Sequence, residues 1–219
     1  MKKITVLCLL LLCALPVAAQ EKFLVGASVG ISFTVAPDFS RWSETVRGVR
    51  SPDARSALEA TVSGSVKVSE RWHVGATVIY TYYEDVIDAY NNVQQARLSA
   101  GSYTPAATLA FEVSQRGSFG RLTVGLGPMF GTLTRQLAVT DVFQTVGVGM
   151  FVEGLGALGL TQNLYTTLSA AVRGGLTGAV SNSDLGDLTY RDSDLNNSTK
   201  PTTLSFVALS LRLGLAYRF

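Results

Sequence analysis

The sequence predicts an all-β fold, an eight-stranded antiparallel up-and-down transmembrane β-barrel, and three observations predict it. Eight segments alternate apolar residues with polar or small ones at period two, the pattern that puts each set on its own side of a sheet. Their connections alternate short and long, as in barrels with tight turns at one end and loops at the other. Beyond the first twenty residues no segment approaches ~18 continuous apolar residues, so closed strands are what remains to cross a bilayer.

Lys2 and Lys3 precede an apolar run from Val6 to Leu15, and Val17-Ala18-Ala19 offers small residues for cleavage. Residues 1–19 therefore read as a cleaved secretory signal peptide, and 20–219 as one barrel domain with no room for a further module. Neither Cys8 nor Cys13 follows the small residues of a lipidation box, which argues against a lipoprotein. Cleavage would remove both cysteines, and with them any disulfide framework or thiolate metal site. It would also remove Lys2 and Lys3 from the 18 basic residues, leaving them level with the 16 acidic ones. No basic nucleic-acid footprint is left, and the pI of about 8.6 owes much to the leader.

The first strand carries Phe23, Val25, Ala27, Val29, Ile31 and Phe33 on one face and Gly26, Ser28, Gly30 and Ser32 on the other. The second sets Leu58, Ala60, Val62, Gly64, Val66 and Val68 against Glu59, Thr61, Ser63, Ser65 and Lys67. The third runs from Trp72 to Tyr82, the fourth from Tyr103 to Val113, and the fifth from Leu122 to Phe130. The sixth spans Val146 to Val152 and the seventh Leu164 to Leu176. Pro105 and Pro128 each remove a ladder donor near the outer ends of the fourth and fifth, where a bulge or rim would tolerate them. In the eighth, from Leu204 to Phe219, alternation is unbroken: Val207, Leu209, Leu211, Leu213, Leu215, Tyr217 and Phe219 share the apolar face.

That last strand, with Leu215, Tyr217 and the terminal Phe219, resembles the C-terminal insertion signal of bacterial outer-membrane barrels. Over residues 22–219 the chain is similar to the small outer-membrane β-barrel superfamily of outer-membrane-protein A, X and W types, without the peptidoglycan-binding domain common in the A type. The resemblance implies an integral protein of the outer membrane, surrounded by its lipids and lipopolysaccharide. It implies assembly by the barrel-assembly machinery with periplasmic chaperones, partners during biogenesis, and a monomer; it implies no substrate. With both termini periplasmic, long polar loops are expected near 34–56, 84–101, 133–144 and 178–202, facing outward. Aromatic girdles are expected from Phe23, Trp72 and Phe219 at the inner interface and Phe33, Tyr80, Tyr82, Tyr103 and Phe130 at the outer. Ten residues from Trp72 to Tyr82, at ~3.3 Å each and a tilt of ~40°, span about 25 Å of membrane.

A barrel of eight strands has room for its own side chains or one small ligand. Here the inward faces carry charge. Glu59, Glu153, Arg173 and Arg212 fall at similar heights on strands two, six, seven and eight, forming a lumen charge network of crossed carboxylate–guanidinium pairs, since buried charges require partners. Lower down come Lys67, His73, Glu112, Arg121 and Arg218. Two roles stay open for the network: a structural plug, or a gate whose pairs exchange to open a narrow pore.

Catalytic, cofactor and metal sites are not expected. His73 is the one histidine, hence the obvious general base, but Gly75 stands where a lipid A deacylase pattern places serine, and palmitoyltransferases and outer-membrane proteases place their histidine at the other side. Gly154-Leu155-Gly156-Ala157-Leu158-Gly159 matches a dinucleotide fingerprint, yet a strand rather than a helix follows. Asp192 to Asn196 resembles the start of a calcium loop, with Asp184 and Asp187 nearby, but Asn197 and Thr203 stand where glycine and glutamate belong. Arg41, Arg47, Arg50 and Arg55, beside an exposed-looking Trp42, could meet lipid phosphates, diluted by Asp38, Glu44 and Asp53. Both loops read as solvated by default. The functional expectation is a non-enzymatic barrel with a structural or surface-binding role, the alternative a narrow gated pore or conduit for ions or small hydrophobic molecules.

Overall fold

The computed structural model of the chain describes residues 23–47, 54–88, 95–115, 117–136, 140–192 and 198–219. The expected signal peptide, with Cys8 and Cys13, lies outside them, as do Arg50, Asp53, Asp194 and Asn197. The wall consists of β1 (Phe23–Val35), β2 (Ala54–Lys67), β3 (Trp72–Asp88), β4 (Gln95–Gln115), β5 (Ser118–Gln136), β6 (Thr140–Gly159) and β7 (Leu164–Thr177). Four short strands follow, β8 (Ser181–Asn182), β9 (Gly186–Asp187), β10 (Thr189–Asp192) and β11 (Ser198–Pro201), and β12 (Phe206–Arg218) completes the wall. A helix, α1 (Pro37–Arg47), lies between β1 and β2.

Every neighbouring pair in the wall is antiparallel, and β12 pairs with both β7 and β1, so the ring closes after eight strands. Closure removes the free edges that would otherwise have to bury unpaired backbone groups in lipid. The outward rows are apolar and bare of protein: Val29, Leu58, Leu168, Leu176 and Leu213 are each 60% exposed or more. Aromatic residues end those rows. Trp72 meets Phe111 edge-on at 5.3 Å and Phe219 lies 6.1 Å from Phe23 at the end where β1 begins and β12 finishes, the periplasmic end in barrels of this kind. Tyr103 and Phe130 lie 6.2 Å apart at the other end. The β4–β5 turn at the periplasmic end takes two residues, with Gly117 at φ 73°, the left-handed geometry tight hairpins require.

The wall is uneven in height. β1 and β12 have 13 residues each, whereas β4 has 21 and β6 has 20. At ~3.3 Å per residue and a ~40° tilt, β4 rises about 50 Å, twice the apolar band of about 25 Å. Segments 84–101 and 133–144, expected as polar loops, are thus largely strand: β3 and β4 pair to Asp88↔Gln95, and β5 and β6 to Gln136↔Thr140. The cause is a reversal of apolarity with unchanged register. Above the membrane the outer face meets water, so Leu98, Leu133 and Phe143 turn inward and are buried.

What they pack against corrects the expected loops further. α1 begins with Pro37 at its first position and Asp38 in its first turn, both favourable at a helix N-terminus. Its spacing puts Phe39, Trp42 and Ser43 on one face, and all three are buried. Trp42, expected exposed, is only 3% exposed. The segment expected as a solvated fourth loop folds over the mouth: Val180 N–H donates to Thr202 O at 2.9 Å, Thr202 N–H to Leu188 O at 2.7 Å, and Val180, Leu188 and Tyr190 are buried. Together with Leu204 these side chains make one apolar cluster above the membrane. A second cluster, of Leu24, Phe119, Ala157 and Ala216, lies inside the periplasmic end.

Candidate functional site

The four charges expected in the lumen meet. Arg173 Nη1 is bonded to Glu59 Oε2, and it also donates to Thr81 Oγ1 at 2.9 Å. Arg212 Nη1 lies 3.3 Å from Glu59 Oε1, and its Nη2 lies 2.8 Å from Glu153 Oε1. The Arg212 contacts lie off its N–H axes, making them charge contacts rather than aligned hydrogen bonds. Ser210 Oγ donates to Glu59 Oε2 at 2.9 Å. Two carboxylates and two guanidinium groups make a neutral tier in which Glu59 is shared by both arginines, so each charge removed from water finds an opposite one.

Small residues make room for it. Gly30 stands in register between Glu59 on β2 and Arg212 on β12. A Cβ at position 30 would lie 1.9 Å from Leu211 O and 2.8 Å from Arg212 Cγ, so only glycine lets the arginine cross β1 to the glutamate. Ala208 and Ala171 are the β12 and β7 partners of Arg173 and Glu153. On the far side Arg173 packs over the Phe206 ring at 5.5 Å.

The lower charges form a separate group around Glu112. Arg218 Nη2 donates to Glu112 Oε1 at 2.8 Å, Arg121 Nη2 to Oε2 at 3.1 Å, and Ser114 Oγ to Oε1 at 2.9 Å. Arg121 also donates to Ser65 Oγ at 3.0 Å, and the Arg218 guanidinium covers Phe119 at 4.9 Å. Lys67, grouped with them by sequence, is exposed at the rim. His73 is buried with Nε2 3.4 Å from Glu112 Oε2, and neither ring nitrogen is hydrogen-bonded. Among the described residues no hydroxyl is hydrogen-bonded to this imidazole.

At the outer end Arg55 clamps the helix. It donates to Ser43 Oγ at 2.7 Å and to Tyr83 OH at 2.8 Å, and lies over the rings of Phe39 and Tyr83 at 4.8 and 5.1 Å. Asp38 ties the helix to the folded fourth loop, accepting from Tyr190 OH at 3.2 Å and Thr203 Oγ1 at 2.8 Å. These partners were not readable in sequence: Arg55 and Asp38 looked like members of a solvated mixed-charge loop. Asp184 and Asp187 are exposed around the β8–β9 hairpin, and no group of three potential metal ligands forms among the described residues.

Between tier and cap lies a small chamber of about 80 Å³, lined chiefly by apolar groups of Phe39, Ala57, Ala100, Met129, Leu204 and Phe206. Thr81, which binds Arg173, lies at its margin.

No family model and no curated protein matches the chain. Among solved structures it is similar to Neisserial surface protein A, NspA, at 15% identity and TM-score 0.49, covering 90% of this chain and 97% of that one. It is also similar to Ail, the attachment invasion locus protein of Yersinia pestis, solved with the heparin analogue sucrose octasulfate, at 11% identity and TM-score 0.48, covering 90% and 99%. A third is the outer membrane protease OmpT of Escherichia coli, at 8% identity and TM-score 0.45, covering 91% and 97%. The chain's own wall, closed at eight strands, apolar outside and ringed by aromatics at both ends, is that of an integral outer-membrane β-barrel.

Proposed function

We propose that this protein is a non-enzymatic outer-membrane barrel that serves as a sealed wall element and presents a folded outer surface, rather than passing solutes through its axis. What supports the reading is the succession of buried groups along the lumen: the Glu112 group with Phe119, the Glu59–Arg212 tier, and the cluster of α1 and the fourth loop. Each acts as a barrier on this reading, because a bore of eight strands is narrow enough for packed or paired side chains to fill. On this reading membrane lipids and lipopolysaccharide surround a monomeric barrel, and Leu215, Tyr217 and Phe219 address it to the assembly machinery. The exposed β8–β9 hairpin, with Leu185 57% exposed near its tip, is the part of the cap best placed to touch a partner.

Two measurements test this. Proteoliposomes carrying the protein are expected to swell in small sugars no faster than empty ones; faster swelling overturns the sealed lumen. Replacing residues 181–187 by a Gly/Ser segment of equal length is expected to abolish surface binding by expressing cells while the barrel still folds, and undiminished binding would remove the hairpin from the account.

A further inference from the structure

We propose that the seam between β4 and β5 admits a hydrocarbon chain from the outer half of the membrane into the chamber above the charged tier, which binds a short alkyl segment. Pro105 and Pro128 face each other across this seam. Ladder pairing runs to Tyr103↔Phe130 and resumes at Ala107↔Leu126 in the same register, leaving Thr104/Met129, Pro105/Pro128 and Ala106/Gly127 unpaired. There is no bulge; the break is an interval in which two prolines supply no N–H. The flanking seams are intact over the same residues, with Pro105 paired to Val78 and Pro128 to Val148. Among the described residues, the wall is therefore unlaced along this line alone.

That line leads to the chamber. Met129 belongs to the interval and also lines the chamber, and Ser102, two residues above Thr104, lines it too. Thr104 is buried behind the seam with its Oγ1 lacking a hydrogen-bond partner. The seam is shut here, since a Cβ on Gly127 would lie 1.9 Å from Pro105 O. Opening it breaks no ladder bond within the interval, whereas elsewhere each pair costs backbone bonds that lipid cannot replace.

Position and lining select the occupant. Pro105 lies two residues, about 5 Å, below the Tyr103–Phe130 pair, at a depth filled by acyl chains. Both prolines face lipid, and the chamber's one charged lining group, Arg55, is already engaged by Ser43 and Tyr83. A charged or hydrated solute would lose its water on this route without recompense. At about 80 Å³ the chamber is smaller than the ~150 Å³ apolar cavities that take benzene, so it fits the end of an alkyl chain. That end could belong to a membrane lipid or to a free hydrocarbon dissolved in the bilayer.

Trp42 is the reporter, because its ring lies 5.8 Å from that of Phe39 at the chamber roof, tilted by 33°, and is buried. Trp72 is the other of the two tryptophans, so Trp72→Phe leaves Trp42 alone to be read. The protein is placed in bilayers with brominated acyl chains and, separately, in plain bilayers containing 1-bromohexane. Quenching of Trp42 by at least twofold is expected in one arm or both; the brominated lipid arm identifies a lipid tail, and the bromohexane arm a free hydrocarbon. Pro105→Val with Pro128→Val restores both N–H groups on lipid-facing positions and is expected to remove most of the quenching. Ala100→Leu fills the chamber without touching the seam and is expected to do the same, which covers the case where the valine variant does not fold. No quenching in either arm, or quenching undiminished in the variants that fold, would overturn the proposal.

Discussion

Glu59 is the residue on which the lumen turns. It accepts from Arg173 and Ser210 and faces Arg212, and its side chain is wholly buried. Removing one member of a buried ion pair leaves the partner's charge without compensation, which costs about 3–5 kcal/mol. Glu59→Gln is therefore expected to lower stability by about that much, read from the urea midpoint of the refolded barrel; a loss below about 1 kcal/mol would mean Arg212 is held by Glu153 alone. Gly30→Val is expected to act on the same contact from the backbone side, because its Cβ must displace the β12 strand at Arg212. The signature would be a variant that folds with the tier broken, unfolding at urea concentrations close to those of Glu59→Gln. Period two was enough to place all four charges inward from sequence. It could not say that Glu59 would be shared, nor that Gly30 is the gap through which Arg212 reaches it, since both follow from the register of β1 against two neighbours.

At the scale of elements, the cap is where expectation and structure part. The rule that apolar residues of an alternating segment face outward holds only while the outside is lipid. Beyond the Tyr103–Phe130 row it reverses sign, and Leu98, Leu133 and Phe143 become the inner face of an ordinary water-exposed sheet. Read with one sign throughout, those segments lose their pattern and look like loops. The helix was hidden for another reason: its eleven residues carry only Phe39, Trp42 and Val46 as large apolar side chains, and only the barrel mouth makes a buried face of Phe39 and Trp42. Arg55→Ala is expected to free α1, because it removes the guanidinium hydrogen bonds to Ser43 and Tyr83 at a cost of about 1–3 kcal/mol. In a Trp72→Phe background, Trp42 emission should shift to the red and proteolysis should cut within 37–47. Unchanged emission would show that apolar packing alone holds the helix.

For the whole molecule, the wall was legible in the sequence and the contents of the bore only in part. Eight strands, their order, the aromatic rows and the inward charges all follow from period two and connection length, because a membrane barrel repeats one simple constraint along its wall. The opposed prolines were visible too, but a bulge at a rim and an unlaced seam beside a chamber differ only in register, which pairs residues from separate strands. The floor, tier and cap together make the central claim, that several barriers in series close the axis and that no single one acts as a gate. Single-channel conductance in a planar bilayer, comparing wild type with Arg173→Ala after heat-modified mobility has verified that both are folded, tests it most directly. Silence is expected from both, since the Glu112 group and the cap would still close a bore that has lost one arginine. Discrete steps from the wild type, or sustained conductance from Arg173→Ala alone, would contradict it and make the charged tier the gate of a pore.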